Sequence, residues 1–597
     1  MEDLLPYFER ELQLLRRYAA EFSNRFPLVA GRLQAASDDP HAERVLQGVA
    51  LLSARVAKRL DDGHPQFTEA LLESMYPHCL RPFPACAVVA FEPPVDGAQV
   101  RVIQRGTSLD AKQPVAGVHC RFTTASDVTL APVNIRAASF DPLIRAPAGT
   151  RLAPDAVASL SITLASSAQR AALSQMPLDK LRVFIDGDPS FCAAMCDALF
   201  AHACGAFFEA ADGTWQPLPA VPFSACGLND TDALIPFGER SHPAWRVLLE
   251  YFCFPDKFRF VDIDLAALRA LMPGDAGIVT LHVALARMRP DSGAARMLRT
   301  LQPSNLRLFC TTAVNLFAHH AKPITVTHRT PDYPVVPDVA RPQGYEVYSV
   351  DSVRQRKKGS DGNVVLTTLD ARRTGASCGH WTLRHDDMLA AVSPGYEKLL
   401  SVTHDGAAER STLSVEITCT NRDLPRDLSW GDAGGDLALS GTSDGPRVSL
   451  VAPPSGPFRF PAGRTHWRLI SCLTLNHHAL VPDGLQALRD LLTLHDLPRS
   501  PVTQRLIGGI VALDHIQTTA WMRHQYGASI VHGIEVRITV DEEAFTGSGT
   551  HLFAQVMDQF LGLYVQMNSY VQLVLLAQRD KRELIRCQRR SGSASPA

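Results

Sequence analysis

No stretch of about 18 uninterrupted apolar residues occurs in the sequence, so no helix is expected to cross a bilayer. An excess of one charge is also lacking, since 59 Lys and Arg face 61 Asp and Glu for a net charge of −2. Proteins held on phosphates normally carry a basic excess, so no nucleic-acid partner is expected. The 13 cysteines, scattered from Cys79 to Cys587, include no C-x-x-C pair. Cys192 and Cys196, four apart in an expected helix, read as buried small hydrophobes rather than metal ligands or a disulfide. That usage suits the reducing cytoplasm. The opening MEDLLPYFERELQLLRR is acidic and amphipathic, without the basic segment and apolar core of a secretory signal. There is no G-x-S-x-G elbow, H-E-x-x-H pair, phosphate loop or paired-carboxylate framework. We therefore assign no catalytic residue, cofactor or metal, and expect a protein that is not an enzyme.

What is present is an apolar, capped, helical leading region. Leu5, Phe8, Leu12, Leu15, Ala19, Phe22 and Phe26 recur at alternating spacings of three and four, a heptad seam held by one helix over residues 2–26. From Ser37 to Pro93 two further helices follow. Asp39 can cap the first, Pro40 occupies its first position, and Val45, Val49, Leu52 and Val56 fall on one face at four–three–four spacing. Asp61 to Pro65 ends that helix and starts the next, whose apolar face carries Phe67, Leu71, Leu72 and Met75. Pro77, Pro82 and Pro84 then forbid helix. The spacing predicts a helical hairpin with an apolar seam. Periodicity leaves two uses for the heptad stripe: a local three-helix bundle, or docking on helices of another chain. The candidate partner-interface residues are Leu5, Phe8, Leu12, Leu15, Phe22 and Phe26 with Val45, Val49, Leu52 and Val56.

From about Cys86 the period changes to two. Leu160 to Leu164, Leu181 to Ile185 and Leu413 to Cys419 alternate as half-buried strands must. Arg105 to Leu109, Cys120 to Thr124 and Asp127 to Leu130 form a turn-and-strand series, and a generic β-sandwich accounts for it. The aromatics of Tyr251 to Phe258 have too few basic neighbours for a nucleic-acid platform and read as core between sheets. Adjacent His319 and His320 point to opposite strand faces with no third ligand at spacing, and His477–His478 reads the same way. Arg354 to Asp361 and Gly431 to Gly445 read as solvated loops. Near the C-terminus a strand (Ile534 to Val540), a turn (Thr546 to Thr550), a helix face (Phe553, Val556, Phe560, Leu563, Tyr564 and Met567) and a return strand (Val571 to Leu576) make an α/β unit. A basic, polar tail follows from Arg579.

The wording of four blocks goes further than their periodicity. Asp39-Pro40-His41, Glu43-Arg44, Asp61-Asp62, Pro65, Phe67 to Glu73, Tyr76-Pro77-His78 and Leu80-Arg81-Pro82 form the first block. The EYF-FP-KF run at 250–258, Cys310 to Val353, and GSG-HLF---MDQFL-LY-QMNSYVQLVL follow in order. Together they resemble the TssF family (also called ImpG or VasA), baseplate subunits of the bacterial type VI secretion system. Arg105 to Leu130 is also similar to J-type wedge proteins of contractile phages. The resemblance implies an α+β multidomain, phage baseplate wedge-like fold: an N-terminal helical bundle segment, central β-sandwich-like domains and a C-terminal α/β unit. The expected boundaries are 1–85, 86–320, 321–470, 471–580 and a flexible tail 581–597. The resemblance also implies two TssF copies joined to one TssG in a shared helical bundle, which favours docking for the heptad stripe. TssK and TssE would join them, six wedges would surround the VgrG spike, and the inner-membrane complex would be reached only indirectly. The alternative reading is a wedge protein of a contractile phage tail or tail-like particle.

Overall fold

The computed structural model describes residues 4–25, 40–61, 65–92, 100–167, 172–238, 241–357, 363–368, 379–404, 411–441, 445–461, 464–473, 484–524, 527–565 and 569–591. The chain forms two compact units: Met1–Leu80 with Phe460–Leu475, and Arg81–Arg459 with Asn476–Ala597.

The first unit is helical. It contains α1 (Leu5–Arg25), α2 (Pro40–Asp61), α3 (Pro65–Met75) and a return helix, Arg464–Leu473. Pro40 and Pro65 each open a helix, where a missing N–H breaks no intrahelical bond. α1 packs on α2, and α3 packs on the return helix. This differs from the hairpin seam read from the sequence. On α3 the inward residues are Thr68 and Leu72, whereas Phe67 and Met75 are exposed. The reason is that a helix supplied from far along the chain takes the place of the sequential neighbour, and Phe67 meets the Trp467 ring at 6.1 Å between centroids.

The second unit is mostly β. A closed six-stranded barrel runs Cys86–Phe91, Cys310–Val314, Arg121–Thr124, Ser108–Ala111, Leu437–Leu439, Val448–Leu450 and back to the first. Two strands of the turn-and-strand series, Ser108–Ala111 and Arg121–Thr124, therefore belong to a barrel rather than a plain sandwich, while Val128–Leu130 pairs with Arg101–Ile103 in a separate two-stranded sheet. Two of the barrel's strands come from beyond residue 430, and part of the Gly431–Gly445 stretch read as a loop is the strand Leu437–Leu439. Closing the barrel satisfies the edge strands, and no local periodicity reports that need.

Next in the chain is a true sandwich. One sheet has Ala156–Ser166 and Ile278–Ala286 at its centre; the other pairs Lys180–Ile185 with Phe260–Asp264 and Leu306–Leu308. Leu160, Ile162, Leu164, Leu181, Val183 and Ile185 all point into one core, as their alternation requires. An eight-stranded sheet is built around Ser411–Thr420, with Leu413, Val415, Ile417 and Cys419 buried. Its neighbour Glu346–Lys357 is a strand to its end, so Arg354 to Lys357 are not loop, and Arg354 pairs with Glu416 at 3.3 Å.

The terminal sheet pairs Ile510–His524 with Gly527–Val540 as a long hairpin, and adds Ser569–Ala577 parallel to the second strand. The helix Thr550–Leu561 makes the crossover, as a parallel connection needs. Gly549 precedes it at φ +77°, a left-handed backbone suited to glycine. The aromatic run from Tyr251 begins in the helix Pro243–Cys253 and packs helix on helix, not between sheets. Trp245 lies 5.3 Å from both His495 and Phe560. The polar residues of that helix, Arg246 and Glu250, one turn apart, are buried along with its apolar ones, so both of its faces are covered.

Candidate assembly surface

On α2 the four–three–four spacing places Val45, Val49, Leu52 and Val56 on one face, and that face is open. The four are 68%, 44%, 61% and 60% exposed, whereas Ala50 and Ala54 on the inward face are fully buried. The small side chains thus make the internal contact, and the large aliphatics stand in water. Burying each would be worth about 1.5–3 kcal/mol. On α1, Leu5 and Phe22 are exposed, and Phe8, Leu12 and Leu15 are half-buried. The heptad stripe is therefore only partly used within the chain. Phe26 lies outside the described residues. Arg16 of α1 and Glu43 of α2 form an exposed ion pair, and that hydrogen bond holds the Glu43 carboxyl below its usual pKa.

Other constellations carry less chemistry than their residue types suggest. Ser161 Oγ and Glu209 Oε2 each lie 2.7 Å from a ring nitrogen of His282, and Trp215 stacks on that ring at 4.0 Å. Both imidazole nitrogens are thereby occupied, and burial lowers the His282 pKa. The nearby cavity lies on the other, inner face of the same sheet. It is lined by apolar side chains including Ile162, Val183, Met195 and Leu306, and presents no polar group to a substrate. Burial pushes the Cys192 thiol up to about 11 and that of Cys196 up to about 12, away from reactive thiolates. His319 stacks on Tyr345 at 5.7 Å. Among the described residues no three His, Cys, Asp or Glu gather as metal ligands. His477 and His478 lie outside the described residues.

Several polar keystones were not visible in the sequence, because spacing alone does not say which polar groups meet in a dry interior. Glu250 and Lys257 form a fully buried ion pair, with Arg246 Nε 3.7 Å from the same carboxylate. Glu250 also accepts from the Leu234 N–H at 2.8 Å, and desolvation lowers the Lys257 pKa. Asn315 and Asn421 bond each other twice at 2.6 and 2.9 Å, tying the barrel to the eight-stranded sheet. Asp197 accepts from Thr550 N at 3.0 Å, Thr550 Oγ1 at 3.1 Å and His551 N at 2.9 Å. The N-terminus of the crossover helix, which in other folds can hold phosphate, is thus filled by a carboxylate of this chain.

A β-rich body with polar pairs tied inside it, together with a helical unit that carries an open aliphatic face, defines an assembly subunit. Comparison with known proteins gives the particular kind. The chain belongs to the TssF family of the type VI secretion system, whose family model matches residues 1–594. It is 32% identical to the type VI secretion system component TssF1 of Pseudomonas aeruginosa over 99% of both chains. Among solved structures it is similar to a chain of the TssK–TssF–TssG baseplate subcomplex, with TM-score 0.72 and 25% identity over 93% of this chain and 100% of that one. It also shares its fold with a chain of the type VI baseplate complex, with TM-score 0.63 and 23% identity over 98% and 99%.

Proposed function

We propose that this chain is a structural subunit of the type VI secretion baseplate wedge and acts by holding other chains, without catalysis. The solved relative assembles with TssK and TssG, and those are the partners we assign here. TssE, the VgrG spike and a second copy of this chain complete the proposed surroundings, at the cytoplasmic face of the inner membrane. No described helix is long and apolar enough to cross a membrane. The observation that carries the reading is the open row Val45, Val49, Leu52 and Val56 beside a half-used heptad stripe. Partner helices laid on these faces would bury what the chain leaves wet, as knobs in holes.

The test is co-expression with the TssG-family and TssK-family products of the same genome. We expect Val49→Asp with Leu52→Asp to abolish co-purification with the TssG-family product. Wild-type recovery of the partner by that double variant would overturn the assignment of this surface. Leu12→Asp with Leu15→Asp should also lose the partner. The α2 pair is the cleaner test, because Leu12 and Leu15 are half-buried within the chain.

A further inference from the structure

Gly48 lies on the open face of α2, and nothing inside the chain calls for a glycine there. Its backbone is ordinary right-handed helix, and a Cβ added to it would meet nothing beyond its own helix backbone within 4 Å. Glycine is the poorest helix former after proline, so alanine would serve the folded chain better. The missing side chain suits a close approach to α2 from outside. Val45, Gly48, Val49 and Leu52 stand at positions i, i+3, i+4 and i+7, the four corners of a hole that takes one side chain of a facing helix. Glycine at one corner makes that hole deep, so two helix axes can meet near the lower end of the usual range of about 8–10 Å. One rim of the hole is cationic. Arg44 and Arg55, about three turns apart on the same flank, are both exposed, and neither has a hydrogen-bond or ion-pair partner among the described residues.

We propose that α2 is crossed at Gly48 by an amphipathic helix of the TssG-family product, which seats an apolar side chain in the hole and brings carboxylates to Arg44 and Arg55. The inference rests on the reading of α2 as the assembly surface and adds what the partner must carry there. Its basis is complementarity: an aliphatic row with a notch calls for an apolar knob, and a rim with two free cations calls for acids. A second copy of this chain fits poorly. Antiparallel two-fold pairing of α2 with itself sets Arg44 against Arg55, like against like. Parallel pairing meets no free acid, since Glu43, the acid among the described side chains of α2, is bonded to Arg16 and Gln47.

The test measures the affinity of the full chain for the TssG-family product of the same genome, with thermal unfolding of the unbound chain alongside. Gly48→Leu fills the hole and should weaken binding at least tenfold without lowering the unfolding midpoint. Arg44→Glu with Arg55→Glu should also weaken binding at least tenfold, whereas Arg44→Lys with Arg55→Lys should keep most of it. Photoreactive residues at positions 45, 49 and 52 should link to partner positions stepping by three or four, as on a helix. Wild-type affinity of Gly48→Leu or of the double charge reversal, links stepping by two, or links to a second copy of this chain would each overturn the proposal. If Val49→Asp with Leu52→Asp loses the partner while those two variants keep it, the surface stands and the acidic crossing at Gly48 falls. If all three variants keep the partner, the reading of α2 as the assembly surface falls with it.

Discussion

The helical unit and the β unit treat side chains in opposite ways. On α2 large aliphatics face water and alanines face inward; around Lys257 an ammonium and a carboxylate are sealed inside. The lesson is one of completeness. The β unit pairs charges and amides inside itself, as at Glu250–Lys257 and Asn315–Asn421, whereas the helical unit leaves the aliphatic row of α2 open to solvent. Substitutions should therefore divide cleanly into those that unfold the chain and those that leave it folded but alone.

The largest effect should come from Glu250→Ala. It strands the Lys257 charge and orphans the Leu234 N–H, and by denaturant titration should cost about 3–5 kcal/mol. Glu250→Leu with Lys257→Met removes both charges and should be near neutral; an equal loss from both variants would show that packing, not charge pairing, governs the site. Asn421→Ala comes next. Asn421 accepts from the Arg121 N–H at 3.0 Å and from the Asn315 amide, so we expect about 2–3 kcal/mol by the same measurement.

A pH series sharpens the comparison further. Burial lowers the His495 pKa to about 4 from the usual 6.5, and the ring is fully enclosed beside Trp245. Below about pH 6.5 the unfolded chain takes up a proton that the folded chain refuses. Stability should then fall by about 1.4 kcal/mol per pH unit until the folded ring titrates near pH 4. His202, His242, His282, His319 and His551 are also lowered by burial and act in the same direction. His495→Phe should reduce the measured slope by about one proton's worth and no more. The smallest change in stability should come from Val49→Asp with Leu52→Asp, within about 0.5 kcal/mol, because both side chains already stand in solvent. A large destabilisation there would mean that the α2 row is internal core and that the contrast between the units fails.

Much of the fold was legible wherever one residue's neighbours lie close in sequence. The alternation of Leu413, Val415, Ile417 and Cys419 named both a strand and its buried face. Pro40 and Pro65 named helix starts, and the run from Ile534 to Leu576 named a strand–helix–strand crossover. The apolar row on α2 was equally plain. What periodicity omits is the identity of the covering element. The hairpin expected between α2 and α3 was replaced by the Arg464–Leu473 helix, and the barrel was closed by Leu437–Leu439 and Val448–Leu450. The aromatic run at Tyr251 was read as sheet core because its density reports burial and not which element covers it.

The sequence by itself determined where helices and strands run, which faces are apolar, and which family the chain resembles, because those signals live in spacings of two to seven residues. Tertiary structure alone decided which apolar faces are buried and which stay open. It also placed Lys257 against Glu250 and Asp197 against the Thr550 N–H. Asp197 and Thr550 lie far apart in the chain, and although Lys257 and Glu250 are only seven residues apart, the dry space that forces them to pair exists only when the whole chain has packed.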